Sequence, residues 1–378
     1  FQRYFGHIRV DLRQSEDRAF VEALVDTEPN CLGAEFREAL YQQTGGHALF
    51  TVEMLRGMQE RGDLVRDERG RWLEGPAVDW RTLPARVEGV IGERIGRLPA
   101  GLQAALKVAS VEGETFTGEV VARVRAAEEL DMVQQLSDEL DKQHRLVRGY
   151  GCQQLGPGGQ RLSCYRFRHI LFQHYLYDSL DEAERIYLHE AVGKELERLY
   201  SDHIGEVAVG LARHFHIAGI SEKAIGYTYQ AGERAARLSA HQEAIGHFTR
   251  ALALLETLPN TLERARQQLR LQIALGTALT ATKGFAAPEV GKSFSRAREL
   301  CRQVYSRETG EIPEVFSTLW GLWAFYFTRA EHGTAGEIGE QLLDLAQSVG
   351  EPGILLQANH ALWTSFLALG EFASARTI

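Results

Sequence analysis

The octapeptide Ala286-Ala287-Pro288-Glu289-Val290-Gly291-Lys292-Ser293 has the lysine and hydroxyl spacing of a phosphate-binding loop, with Ala in place of the first glycine. Such a loop needs an apolar strand leading into it and a glycine-rich turn whose amides face the phosphates. Here the preceding stretch, residues 271–282, has a helical pattern, and Pro288 fits the first turn of a following helix. That places Gly291 and Lys292 inside regular structure, and no Asp follows at the end of an apolar strand to hold magnesium. Thr44-Gly45-Gly46-His47 precedes another helix, and helix N-termini attract anions; a turn with a helix cap explains the same residues. His169 and His174 lie five apart and His214 and His216 two apart, spacings that do not set both imidazoles on one helical face to hold a metal. No Ser-His-Asp or Cys-His constellation stands at recognisable spacing, and the acidic residues fall on outer faces.

Four cysteines in 378 residues, none in a CxxC pair, exclude a disulfide scaffold and a cysteine-rich zinc module. Cys152 and Cys164 are equidistant from Gly158, so a symmetric hairpin sets them opposite each other, whereas a one-residue slip separates them. In a reducing cytoplasm, the expected location, both are free thiols. The aromatic stretch Trp320, Trp323, Phe325, Tyr326 and Phe327, with Trp363 further on, reads either as core between helices or as an aromatic-lined groove. In the second case Trp320, Trp323, Tyr326, Phe327 and Trp363 are the candidate contacts to a peptide or small ligand.

The elements that must position these residues follow from periodicity. The chain is too long for one compact core. Its 44% apolar and 25% charged composition is that of an ordinary folded protein, and no apolar run reaches membrane-spanning length. The net charge of −9 argues against a chain built to neutralise phosphates. Phe1 and Ile378 read as the ends of a piece cut from a longer protein. Residues 1–80 open with a strand-like His7-Ile8-Arg9-Val10, then a helix capped at Ser15 with Phe20, Val21, Leu24 and Val25 on one face. Leu49, Val52, Leu55 and Met58 mark one side of a further helix that Gly62 ends, and a small hairpin follows around Gly70.

Residues 81–200 form a second part. Pro84 starts a helix carrying Val87, Ile91, Ile95 and Leu98; more helices cover about 100–110, 117–125 and 129–145. Two strands then flank Gly156-Pro157-Gly158-Gly159, and helices follow at 170–180 and 182–200. Three helices and then a hairpin is the order of a winged helix. Its would-be groove-reading helix has Glu128, Glu129, Asp131, Asp138, Glu139 and Asp141 in and just before it, against Lys142 and Arg145, with Arg148 just beyond. That sign repels phosphates and favours an intramolecular packing role.

From about 204 no strand signal remains. Ala212, Phe215, Gly219, Ala224 and Ala231 fall at tetratricopeptide (TPR) spacing, as do Gly232, Ala235, Ala244, Phe248 and Ala251, and Leu362, Phe366, Gly370, Phe372 and Ala375. The period is irregular, so residues 201–378 read as a degenerate TPR-like α-solenoid. The expected fold class is therefore mostly α: a helical lid remnant, a winged helix with a small β-hairpin, and the solenoid.

Several segments together resemble a known family. Residues 44–55, from Thr44-Gly45-Gly46-His47, look like the end of the nucleotide-binding module of STAND-class signalling ATPases. Residues 83–87 through 94–99 resemble the start of their winged-helix domain, residues 167–177 the helix that closes it, and residues 240–245 and 283–289 the repeats that follow. The plan is similar to that of large bacterial proteins joining an adenylate or guanylate cyclase domain to such an ATPase and a TPR array. The resemblance implies that ATP or ADP, magnesium and any cyclase chemistry belong upstream, with no cofactor in these residues. It implies an intramolecular ATPase module and a protein or small-molecule effector as partners and is compatible with homo-oligomerisation on activation, while the charge and the short apolar runs already point away from nucleic acid and membranes. It also implies one nucleotide contact, a Gly-x-Pro turn that approaches the base, which here reads Gly46-His47-Ala48; losing the proline removes a rigid φ and an apolar surface. The reading from these signals is a non-catalytic regulatory segment. Its rivals are a DNA-binding transcription regulator acting through the winged helix, and an enzyme working through residues 286–293.

Overall fold

The computed structural model describes residues 18–76, 78–80, 84–156, 159–305 and 312–377. The strand-like His7-Ile8-Arg9-Val10 and the cap expected at Ser15 lie outside these residues. The chain is mostly α and divides into two compact units, Phe1–Leu199 and Tyr200–Ile378. Among the described residues no helix is long and apolar enough to cross a membrane.

The first unit starts with α1 (Arg18–Val25), α2 (Ala34–Thr44) and α3 (Ala48–Arg61), followed by an antiparallel hairpin of β1 (Leu64–Arg66) and β2 (Trp72–Glu74). Val21, Val25, Phe36, Leu40, Met54, Met58 and Leu64 make one core there. The face of α3 differs from the expected one. Met58 is buried and Leu55 half-buried against this core as expected, but Leu49 and Val52 are 44% and 39% exposed, and Phe50 and Met54 are buried in their place. Helix α3 has apolar residues nearly all round, so periodicity alone did not single out the stripe that α1 and α2 cover.

Helix α4 (Ala85–Gly96) begins after Pro84 and buries Val87, Ile91 and Ile95, with Leu98 just beyond its end. Then come α5 (Ala100–Glu112), β3 (Thr115–Thr117), α6 (Gly118–Val124) and α7 (Glu129–Gln134), which continues as a π-helical stretch, Gln135–Gln143. Strands β4 (Val147–Gln154) and β5 (Arg161–Phe167) complete a sheet of order β3-β5-β4, antiparallel throughout. The sheet thus has three strands where a hairpin was expected, because β3 is too short to show a period. Phe116 anchors β3, with its ring centroid 5.8 Å from that of Tyr165 and 5.2 Å from that of Phe167. The symmetric hairpin is also corrected: a register shift between Gly149 and Gly151 pairs Cys164 with Gly151 and Cys152 with Ser163. Successive strand residues point to opposite faces, so the slip separates the sulfurs, and both thiols are free. Helices α8 (Ile170–Asp178) and α9 (Glu182–Leu199) end the unit.

The second unit is helical over its described residues: α10 (Ile204–Ile217), α11 (Ser221–Arg237), α12 (His241–Glu256), α13 (Leu262–Lys283), α14 (Pro288–Val304), α15 (Ile312–Thr328), α16 (His332–Val349), α17 (Pro352–Leu369) and the short α18 (Phe372–Ala375). Four turns repeat one backbone pattern. Gly219, Ser239, Ala330 and Gly370 are left-handed, and the next residues, Ile220, Ala240, Glu331 and Glu371, have φ between −91° and −82° and ψ between 57° and 73°. Five residues after each left-handed position stands a buried alanine, Ala224, Ala244, Ala335 or Ala375. That methyl lets the paired helices close together, so a repeat that is irregular in sequence is regular in backbone.

Candidate functional site

The Thr44–His47 turn is held from below. Gly45 and Gly46 both take positive φ, 57° and 72°, and the chain re-enters helix at Ala48. Buried Thr44 donates to the Leu40 carbonyl at 2.8 Å, and Thr51 Oγ1 lies 3.0 Å from both Thr44 Oγ1 and the His47 carbonyl. The His47 ring stacks on Phe50 at 4.4 Å and meets His169 edge-on at 5.4 Å. A Cβ at Gly45 would stand 3.1 Å from His169 Nδ1, so glycine serves both the left-handed turn and the close approach of that ring. His169 is the residue that follows β5 and Arg168, and it ties the sheet to this turn. Burial, the His47 ring and the positive charges of Arg94 and Arg168 push its pKa down to about 4, so it is neutral at pH 7.

Beside this contact a 370 Å³ pocket is lined by Tyr41, Gln42, Gly45, Glu114, Arg148, Arg166, Arg168 and His169, among others. Two of its arginines are engaged. Arg166 pairs with Glu114, and Arg168 donates to Asp141 at 2.6 Å and to the Val147 carbonyl at 3.0 Å. Burial raises the Asp141 pKa, but hydrogen bonds from the Gly149 amide and Arg168 outweigh it and hold the carboxyl below its usual range. Among the described residues the Arg148 side chain makes no hydrogen bond or ion pair, and its charge also acts on Asp141. The pocket suits an anion or a polar ligand edge. It holds no nucleophile paired with a base, and no group of His, Cys, Asp and Glu among the described residues is arranged to hold a metal.

The 286–293 segment is helix from Pro288 onward. Gly291 is there for packing, since a Cβ would run into the Phe325 ring, and Ser293 Oγ donates to the Gln272 carbonyl at 2.8 Å. Lys292 is exposed on the helix surface. These placements give the lysine no amide-lined cradle.

The predicted aromatic contacts divide. Trp323 is buried, donates Nε1–H to Ser365 Oγ at 2.9 Å, and lies 4.9 Å from Trp320 and 5.4 Å from Phe327 between ring centroids. Trp320, Tyr326 and Phe327 are half-buried against the same core, and Trp363 is 44% exposed. A 680 Å³ cavity of the unit lies elsewhere, lined from α11, α12, α13 and Glu314 of α15. Helices α11, α13 and α15 touch in that order and form one layer of the array. Sequence reading missed this cavity because its lining is gathered from four separate helices along the chain. The signal was the run Ala274, Ala278 and Ala281 on one side of α13.

The sequence matches no protein-family model. The chain is 27% identical over 209 residues, 55% of its length, to an uncharacterized protein of Rhizobium meliloti (strain 1021), and that match spans 20% of the relative's length. Among solved structures it is similar to BtubC from P. vanneervenii, with TM-score 0.39 and 16% identity over 53% of this chain and 88% of that one. It is also similar to a signal-transduction ATPase with numerous domains (STAND) protein with a tetratricopeptide-repeat sensor from Pyrococcus horikoshii, with TM-score 0.34 and 11% identity over 95% of this chain and 58% of that one.

Proposed function

We propose that these residues are the non-catalytic regulatory part of a larger STAND-type signalling ATPase. In this reading residues 1–80 are the end of the nucleotide-binding module, 81–200 a winged-helix domain acting as hinge, and 201–378 a TPR-like sensor array. The observation that carries it is the seating of His169 against the Gly45–His47 turn. The turn resembling a nucleotide contact and the domain that would move are joined by one packed imidazole. The order α5, β3, α6, α7, β4, β5 with strand order β3-β5-β4 supports the winged-helix reading, and the four matching turns support the TPR-like one. An effector on the array shifts the packing of residues 81–200 and biases an ADP-held closed state against an ATP-bound open one. ATP, magnesium and a cyclase-type output belong upstream, and Gly46 and His47 are the contact to nucleotide on this side.

The test is nucleotide exchange by the full-length protein with and without residues 204–378. Exchange that changes several-fold on deletion supports the reading, and unchanged exchange overturns it. The DNA-binding rival fares worse on charge: Asp131 and Asp138 stand exposed on the helix that would face phosphates. Salt-dependent binding to duplex DNA would favour that rival instead.

A further inference from the structure

The cavity of the second unit has one apolar wall and one end with uncommitted polar groups. Ala274, Ala278 and Phe248 supply apolar surface. At one side charge is already spent: Glu314 accepts from Arg270 Nε at 2.8 Å and from the Tyr305 hydroxyl, and Tyr229 donates its hydroxyl to Glu233 at 3.0 Å. At the α11–α12 turn it is not. Arg237 is exposed and, among the described residues, makes no hydrogen bond or ion pair, although Glu233 stands four residues before it on the same helix. His241, four residues further on, also lines the cavity, and its buried Nδ1 has no hydrogen-bond partner. The Arg237 guanidinium is a donor with no acceptor capacity, and the His241 imidazole can carry an N–H on one ring nitrogen, so the group that satisfies both is an anionic acceptor. The 680 Å³ volume is that of a small-molecule site.

We propose that this cavity binds a small organic carboxylate with an apolar body, its carboxylate on Arg237 and His241 and its body along the alanine face of α13. The site deepens the sensor reading above and rests on it for its regulatory meaning. It places the ligand away from the Trp320–Trp363 aromatics.

The test is calorimetric titration of the 378-residue chain with dodecanoate below its micellar concentration, alongside dodecanol and dodecylamine. The site predicts saturable one-to-one binding of the acid, at least about tenfold weaker binding of the alcohol and amine, and about tenfold weakening of the acid by Arg237→Gln. Arg237 is exposed, so that variant folds; Ala278→Phe, which fills the cavity, abolishes binding, and circular dichroism checks its fold. Equal binding of all three probes, no binding of the acid, or indifference to Arg237→Gln overturns the proposal, as does a peptide ligand that competes without needing a carboxylate. The two readings fail separately. Acid that binds here while exchange in the full-length protein ignores residues 204–378 leaves the site and removes the sensor role. Exchange that depends on those residues while no acid binds does the reverse.

Discussion

The sheet-bearing part of the first unit and the helical array of the second solve the same packing problem with different chemistry. Around the sheet, ionisable groups are taken from water and held by specific partners. Glu112 binds the Thr117 hydroxyl and amide, Glu119 accepts twice from the Ser163 amide, and His169 is wedged against a glycine turn. In the array, close approach is made by deletion of side chain. Phe294 lies between Gly276 on α13 and Gly321 on α15, where a Cβ would come within 2.8 Å and 2.5 Å of its ring, and Phe248 covers Gly232. The first region is therefore sensitive to pH and the second to volume.

The largest expected effect follows from volume. Gly321→Leu forces Phe294 out of its slot, and overpacking of this kind costs about 1–3 kcal/mol or more. Urea denaturation should show the loss in the second unit's transition while the first unit's is unmoved. A shared loss in both would dissolve the contrast.

The pH effects come next and oppose each other. Removal from water, only partly offset by its Thr117 hydrogen bonds, and the nearby Glu119 carboxylate push the Glu112 pKa up to about 7. Between the ordinary carboxyl value near 4.5 and 7 the folded state binds more protons than the unfolded one, so this group's stabilisation is lost as pH rises through that window. His169 does the opposite: with a folded pKa of about 4 against 6.5 unfolded, its contribution is present above pH 6.5 and lost as pH falls toward 4. Glu112→Gln should leave a first unit that loses stability only on acidification. His169→Asn should leave one whose change between pH 5 and 7 is a loss as pH rises. Chemical denaturation at intervals from pH 4 to 8 reads both slopes, and parallel pH curves for the two variants would contradict the assignment.

A smaller effect is expected at the repeated turn. Ala330 holds φ at 60°, a left-handed position that costs a non-glycine residue about 1 kcal/mol. Ala330→Gly should raise the second unit's stability by up to about 0.5 kcal/mol, once glycine's extra unfolded entropy of about 0.4–1 kcal/mol is subtracted. A fall in its unfolding midpoint would count against the turn geometry.

The two regions also differed in how much their sequences disclosed. In the array, the alanines at 224, 244 and 375 pointed to the repeat. The backbone regularity stayed hidden because two of the four left-handed positions are Ser239 and Ala330, not glycine. The cavity was illegible because four separate helices each give it only part of its lining, and the alanines at 274, 278 and 281 leave no motif. Around the sheet, periodicity placed the helices but not β3, three residues long, nor the register slip at Gly149 and Gly151 that parts Cys152 from Cys164. The Gly45-Gly46-His47 turn drew notice for its resemblance, yet its partner His169 was singled out only for its distance from His174. Long-range contacts of that kind have no local signature.

The proposed receiver-and-hinge role requires turnover to be done elsewhere in the protein. Steady-state release of phosphate from ATP by the isolated 378-residue chain, with magnesium present, tests this most directly. The expected result is a rate equal to the protein-free blank, the same for the parent chain and for Lys292→Ala. A rate above the blank that Lys292→Ala abolishes would contradict it.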